Sequence, residues 1–126
     1  MALPFVLDED TRASDLWRAI QLHNSTSPAE AIDVVRVGDP DGPPSGASDP
    51  AIIAWAHNHG RIVVSHDKNT LIGHHEAFVT DGNTTPGLFI VQRGHSVSRL
   101  VEFLVLVGHC GEPHEYASRT QWVPEK

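Results

Sequence analysis

The stretch ASDPAIIAWAHNHGRIVVSHDKN, residues 47–69, contains a helix start, an apolar helix, a glycine stop and a buried strand. Ser48 stands before an aspartate and a proline, a combination typical of the cap and first turn of a helix. Gly60 is a typical helix end, because glycine adopts a left-handed conformation at little cost. The β-branched segment RIVVSHD (61–67) then predicts a strand that ends at Asp67. A helix that leads directly into a strand is typical of α/β proteins.

The same alternation continues on both sides of this stretch. PFVL (4–7) is a short apolar strand that ends at Asp8. An amphipathic helix follows it, with apolar residues at helical spacing at Ala13, Leu16, Trp17 and Ile20. The other predicted features are a strand at 32–37, a loop at 38–50, an ambiguous segment with a short helix at 69–85, a strand at 87–92, a helix at 96–108 and an edge strand near 116–123. This order predicts a mostly parallel sheet with helices on both faces.

Length and cysteine content are typical of one intracellular domain. We expect residues 1–126 to form a single domain, with a core at about 4–108 and a tail at 109–126. The single cysteine, Cys110, excludes an internal disulfide and fits a reducing compartment. The amino terminus has no basic export region, and the longest apolar stretch, VEFLVLVG, is too short to cross a bilayer. These features predict a cytoplasmic protein without a membrane partner.

The net charge is −7, from 16 acidic and 9 basic residues. Proteins that bind nucleic acid without regard to sequence usually do so through a broad basic surface. The charge argues against that class. Any contact with RNA would depend on local cations, for which Arg12 and Lys68 are the candidates nearest the acids. The alternative, that these two are ordinary solvated charges, stays open.

Three aspartates are the main indication of function in the sequence. Asp8 and Asp67 each follow a predicted strand, and Asp49 opens the helix that leads into the second of these strands. In parallel sheets, the functional crevice lies outside the carboxyl ends of the strands, so we expect the three carboxylates to converge there. Mg²⁺ or Mn²⁺ would remove their mutual repulsion and promote phosphodiester hydrolysis. For any single aspartate the alternative is a turn or cap residue.

Three segments resemble a small bacterial group within the PIN-like domain family. They are LDED (7–10), the quoted stretch 47–69, and PGLFIVQRG (86–94). The resemblance implies a three-layer α/β/α fold and a metal-dependent endoribonuclease. It further implies the toxin of a toxin–antitoxin pair, with RNA as substrate, a small antitoxin protein as partner, and a homodimer.

The resemblance also assigns roles by position. Asp8, Asp49 and Asp67 would be catalytic and would bind Mg²⁺ or Mn²⁺, together with Asn69. Ser65 and Glu9 would support them. The sequence departs from the family pattern at Asn69, where a fourth acid is common, at Pro50-Ala51, where an acidic pair is usual, and at Asp10, where asparagine is usual. With fewer carboxylate ligands, the metal would bind more weakly and catalysis would decline.

Two other functions remain as alternatives. One is a PIN-like binding module without activity, which the departures from the family pattern favour. The other is a receiver-like signalling domain, which also gathers acids around Mg²⁺ after its first and third strands. Against it, Gln92-Arg93 follows the predicted fourth strand, where a receiver has a hydroxyl residue.

The chain has nine histidines, some of which are candidate ligands for a transition metal. His74-His75-Glu76 and His66 contain suitable side chains, but no HExxH spacing is present. Adjacent histidines on a helix also point in different directions. A solvated helix face is therefore the favoured interpretation of this segment.

Overall fold

Short parallel strands alternate with helices along the chain in the computed structural model, which describes residues 2–8, 15–67 and 69–124. The strands are β1 (Phe5–Leu7), β2 (Val34–Arg36), β3 (Ile62–Ser65), β4 (Leu88–Val91) and β5 (Thr120–Val123). The helices are α1 (Asp15–Thr26), α2 (Asp49–His59), α3 (Leu71–Thr80), α4 (Val97–Cys110) and the short α5 (Pro113–Tyr116), with a 3-10 turn at Pro28–Glu30. The ambiguous segment 69–85 thus contains a ten-residue helix.

The strands form one sheet in the order β2-β1-β3-β4-β5, and every pairing is parallel. The α/β fold is therefore confirmed, and the sheet of the described residues is parallel throughout rather than mostly. The predicted edge strand near 116–123 is β5, which pairs with β4 from Leu88–Thr120 to Val91–Val123. A helix in each strand-to-strand connection explains the uniform direction, because parallel neighbours need a long crossover.

Helices cover both faces of the sheet, which gives three layers. Adjacent residues of one strand face opposite sides, so Val63 belongs to one apolar cluster and Val64 to the other. The cluster around Val64 includes residues of α1 and α4, such as Ile20 and Leu104. The cluster around Val63 includes residues of α2 and α3, such as Ile53 and Leu71.

The helix ends follow local sequence signals. The hydroxyl of Ser48 accepts a hydrogen bond from the Ala51 N–H at the start of α2, over 3.3 Å. Gly60 ends the same helix in the left-handed region, with φ of 68°. Both predictions for this helix are confirmed. In the predicted first helix, Leu16 and Ile20 are buried as expected, whereas Ala13 lies outside the described residues.

The order of the strands determines where a site can form. The chain passes from β1 to β2 on one side, then crosses to β3 on the other side of β1 and continues outward. The direction of winding therefore reverses between β1 and β3. In open parallel sheets the helices diverge at this point, and the crevice outside the carboxyl ends of the two strands is the usual binding site. Within the described part of the chain, no helix has the length and apolar character that crossing a membrane requires.

Candidate functional site

Three acidic residues lie at the carboxyl ends of the central strands. Asp8 directly follows β1 and is 7% exposed. Asp67 comes two residues after β3 and is half-buried. Asp49 is the first residue of α2 and is also half-buried. The predicted acids therefore lie around the crevice between β1 and β3.

Ser65 connects two of these acids. Its side chain is fully buried at the end of β3, and its hydroxyl donates a hydrogen bond to the Asp8 carboxylate. The same oxygen accepts a hydrogen bond from the backbone N–H of Asp67, over 2.9 Å. Ser65 thus uses its proton for Asp8 and a lone pair for Asp67. This arrangement orients the loop that carries Asp67.

Thr70 connects Asp67 to the third acid. Its Oγ1 lies 2.7 Å from Oδ2 of Asp49 and 2.8 Å from Oδ2 of Asp67. A hydroxyl has one proton, so it donates to only one of these carboxylates at a time. The two carboxylate oxygens can be no farther apart than the sum of these distances. A continuous series of contacts therefore joins Asp8, Ser65, Asp67, Thr70 and Asp49, and we call it the acid network.

Asp67 is held in its anionic form. The hydrogen bond from the Thr70 hydroxyl lowers the pKa of the Asp67 carboxyl most strongly, followed by the backbone N–H of Asn69. Oδ1 of Asp67 accepts that N–H over 2.9 Å and the Thr70 N–H over 3.2 Å. Partial burial opposes this effect but is the smaller influence. These hydrogen bonds therefore favour the charged form of the Asp67 carboxyl.

Of the remaining predicted site residues, the structure describes Asn69 but not Glu9, Arg12 or Lys68. Asn69, expected among the metal ligands, is exposed and donates its backbone N–H to Asp67. Glu9, Asp10, Arg12 and Lys68 lie outside the described residues. The predicted role of Glu9 in supporting the site and those of Arg12 and Lys68 in contacting RNA stay predictions.

Sequence reasoning missed Thr70. The only local signal was a hydroxyl residue three positions after Asp67, directly before the apolar start of α3. That position is typical of a helix cap. The contact with Asp49 joins residues 21 apart in sequence, so it depends on how α2 packs beside the loop after β3.

The donor set fits a hard divalent cation in type. All the side-chain donors of the acid network are carboxylate or hydroxyl oxygens, which Mg²⁺ and Mn²⁺ prefer. Among residues 2–8, 15–67 and 69–124, no group of three or more His, Cys, Asp or Glu side chains is close enough to hold a metal ion. Mg²⁺ commonly uses one or two carboxylates and completes its shell with water and substrate phosphate. The Asp49–Asp67 pair meets that smaller requirement.

The histidine segment is exposed as the sequence favoured, except at His75. His74 is exposed, but His75 is only 2% exposed. The Nε2 of His75 lies 2.7 Å from Thr85 Oγ1, and its Nδ1 lies 3.2 Å from Thr120 Oγ1. Burial lowers the pKa of this imidazole, which favours the neutral ring. His75 therefore joins α3 to β5 as a core residue.

Comparison with other proteins adds no assignment to this geometry. A scan against models of known families finds no match, and searches of curated proteins and of solved structures find none either. The fold is an α/β fold with a five-stranded parallel sheet.

Proposed function

We propose that this chain is an Mg²⁺- or Mn²⁺-dependent endoribonuclease of the PIN-like type. The observation that carries the proposal is the acid network, which connects Asp8, Asp49 and Asp67 at the reversal point of the sheet. Placing the carboxylates of Asp49 and Asp67 within reach of one hydroxyl is costly unless their charge has a use. Phosphodiester hydrolysis assisted by a divalent cation is a reaction that uses it.

The residues of the network have distinct parts in this proposal. Asp49 and Asp67 would hold the cation, because their carboxylate oxygens already approach one hydroxyl. When bound, the cation would supply a water of lowered pKa and stabilise charge on the phosphate. The Thr70 hydroxyl lowers the pKa of the Asp67 carboxyl and contacts the carboxylates of both Asp67 and Asp49. Asp8 is positioned next to them through Ser65.

The biological setting follows from the resemblance to PIN-like toxins. RNA is the proposed substrate, a small antitoxin protein is the proposed partner, and a homodimer in the cytoplasm is the proposed form. A net charge of −7 supports a role for the cation in substrate binding, because an acidic protein repels RNA unless local charges oppose that repulsion.

The test of the nuclease is Asp67→Asn. This variant keeps the shape of the side chain but removes its charge, so we expect Mn²⁺-dependent cleavage of single-stranded RNA to fall by about a hundredfold or more, as for loss of a group that stabilises developing charge. The matched control is Asp81→Asn, which changes an exposed aspartate just after α3. Thermal unfolding of both variants checks that each is folded. If purified Asp67→Asn cleaves RNA as fast as the wild type, the nuclease assignment is wrong.

A receiver-like domain is the second candidate, and the strand order favours it. The order β2-β1-β3-β4-β5 is one of the two common doubly wound arrangements and is also that of receiver domains. Gln92 and Arg93, which follow β4, weaken this candidate because a receiver has a hydroxyl residue there. Incubation with acetyl phosphate distinguishes the two functions. A stable acyl phosphate on Asp8 or Asp67 supports the receiver, whereas RNA fragments with unchanged protein mass support the nuclease.

A binding module without activity is the third candidate. It is favoured by Pro50-Ala51 and Asn69, which replace acids of the family pattern, and by the lack of a three-acid group among the described residues. Calorimetry of Mn²⁺ binding to the wild type, Asp8→Asn and Asp67→Asn tests it. Equal and weak binding by all three supports the module, and loss of binding in the variants supports the nuclease.

A further inference from the structure

A cavity of about 330 Å³ lies beside the acid network, at the carboxyl ends of β3, β4 and β5. It shares His66 with the loop that carries Asp67. The register of β3 and β4 aligns Ser65 with Ile90, so the residues that follow each strand emerge next to each other. Neighbouring strands are about 4.8 Å apart. A group that occupies the cavity would therefore lie next to the proposed site of cleavage.

The lining of the cavity combines an apolar wall with cationic and polar groups. The wall includes Leu16, Val91, Val97 and Leu100. The volume is at the lower end of the range for small-molecule sites, which suits one nucleotide rather than a larger ligand. A flat, largely apolar base can pack against such a wall without a specific hydrogen-bond pattern.

The polar side of the cavity carries Arg93, His95 and His66. The Arg93 side chain is exposed, and no described carboxylate forms an ion pair with it. The one described acid in the lining, Asp15, lies 3.6 Å from the guanidinium of Arg18. Arginine is the side chain best suited to bind a phosphate, and histidine rings stack on bases. A chain with net charge −7 thus presents cationic and imidazole groups beside its acid network.

Gln92 adds a fixed polar group to the same lining. Its Nε2 donates a hydrogen bond to the carbonyl oxygen of Pro124 over 2.9 Å. A carbonyl oxygen can only accept, so the amide of Gln92 must direct its NH₂ group to Pro124. The orientation of this amide is therefore determined before any ligand arrives.

We propose that this cavity is a subsite for one unpaired nucleotide of the RNA substrate, with the base against the apolar wall and a phosphate against Arg93 and His95. The proposal rests on the nuclease function proposed above, and it names the substrate as single-stranded RNA. Duplex RNA does not fit, because a base must leave its stack to reach the wall.

The test measures binding without metal, so that cleavage plays no part. The full chain, labelled with ¹⁵N and kept in EDTA, is titrated with adenosine 5′-monophosphate and with a single-stranded hexaribonucleotide. We expect saturable amide shifts at residues 91–97, and tighter binding of the hexanucleotide than of the mononucleotide. Shifts confined to other surfaces, or equal affinity for the two probes, would overturn the RNA subsite.

The variant for this test is Arg93→Gln, and its matched control is Arg119→Gln. Arg119 is also exposed, but it directly precedes β5. It therefore lies at the amino ends of the strands, whereas the cavity lies at their carboxyl ends. We expect Arg93→Gln to weaken hexanucleotide binding about tenfold, as for loss of one charged hydrogen bond. The slope of log affinity against log salt should become shallower by about 0.7, the value for one phosphate contact on a single strand. Equal affinities for the two variants would contradict the proposal.

The outcome separates this proposal from the nuclease itself. If the wild type cleaves RNA but neither probe shifts the amides of 91–97, the subsite is wrong and the nuclease stands. If the hexanucleotide binds at 91–97 but no RNA is cleaved with Mn²⁺, the nuclease is wrong and the subsite stands. Asp67→Asn should bind the hexanucleotide at least as tightly as the wild type, because it removes a negative charge.

Discussion

Thr70 is the residue on which the geometry of the acid network depends most. Its hydroxyl contacts carboxylate oxygens of both Asp49 and Asp67, and its backbone N–H contacts Asp67 as well. One small side chain thus connects the start of α2 to the loop after β3. In the proposed metal site, removal of such an orienting group would lower metal affinity by about 10- to 100-fold.

The first prediction at this scale concerns Thr70→Val, which removes the hydroxyl but keeps the shape. We expect the pKa of the Asp67 carboxyl to rise, because the Thr70 hydrogen bond is the largest cause of its depression. We also expect Mn²⁺ affinity to fall about tenfold, as for loss of a group that orients ligands. The measurements are a ¹³C NMR titration of the Asp67 carboxyl and calorimetry with Mn²⁺.

Thr70→Ser is the control, since serine retains the hydroxyl. It should keep both the low pKa of Asp67 and most of the Mn²⁺ affinity. A depressed carboxyl pKa stabilises the fold above the unfolded pKa, and this contribution is lost as pH falls through the folded pKa. The loss of unfolding free energy caused by Thr70→Val should therefore be larger at neutral pH than at pH 2. An unchanged Asp67 pKa in Thr70→Val would show that the hydroxyl does not act as described.

At the scale of elements, two glycines differ in whether the structure has room for a side chain at their position. Gly73 lies inside α3, where an added Cβ would meet no atom within 4 Å. Gly87 immediately precedes β4 with φ of 128°, and its Cβ would lie 2.6 Å from the carbonyl oxygen of Tyr116. The first position tolerates a side chain, whereas the second combines a backbone conformation unfavourable for L residues with a close approach to another segment.

We predict opposite signs for the two alanine substitutions. Gly73→Ala should raise the free energy of unfolding by about 0.5–1 kcal/mol, because alanine has the higher helix propensity. Gly87→Ala should lower it by about 1–3 kcal/mol or more, because of backbone strain and the clash. Urea unfolding of both variants measures these changes. Destabilisation by Gly73→Ala would indicate that residues 71–80 do not form the helix described.

At the scale of the whole molecule, stability depends on two apolar layers, one on each face of a single sheet. Leu104 of α4 is fully buried in the layer that includes α1, whereas Leu106 of the same helix is 58% exposed. Two residues of one type on one helix thus differ only in which side of the three-layer arrangement they face. They provide a direct test of that arrangement.

We expect Leu104→Ala to lower the free energy of unfolding by about 2–5 kcal/mol, the usual cost of a cavity in a core. Leu106→Ala should change it by less than about 0.5 kcal/mol, as for most surface substitutions. Chemical denaturation with a two-state fit measures both. A similar cost for the two variants would mean that α4 does not pack on the sheet through the face described.

Local patterns were enough to predict most elements and three acids of the site. The apolar runs before Asp8 and Asp67, the cap at Ser48 and the glycine after α2 act within a few residues, through steric preference and burial of apolar side chains. The same local reasoning failed at His75. Its neighbours in sequence suggested a solvated helix, but His75 is buried and lies within hydrogen-bond distance of Thr85 and of Thr120 in β5.

The sequence by itself determined the alternation of helices and strands and the placement of acids just after two strands, because these features arise from interactions between close neighbours. Only the tertiary structure decided that all five strands are parallel in the order β2-β1-β3-β4-β5. It also decided that Thr70 reaches Asp49 and that a cavity opens beside the acid network. These features depend on how the helices pack on the sheet. Local sequence patterns do not predict that packing, because it is determined by contacts between residues distant in sequence.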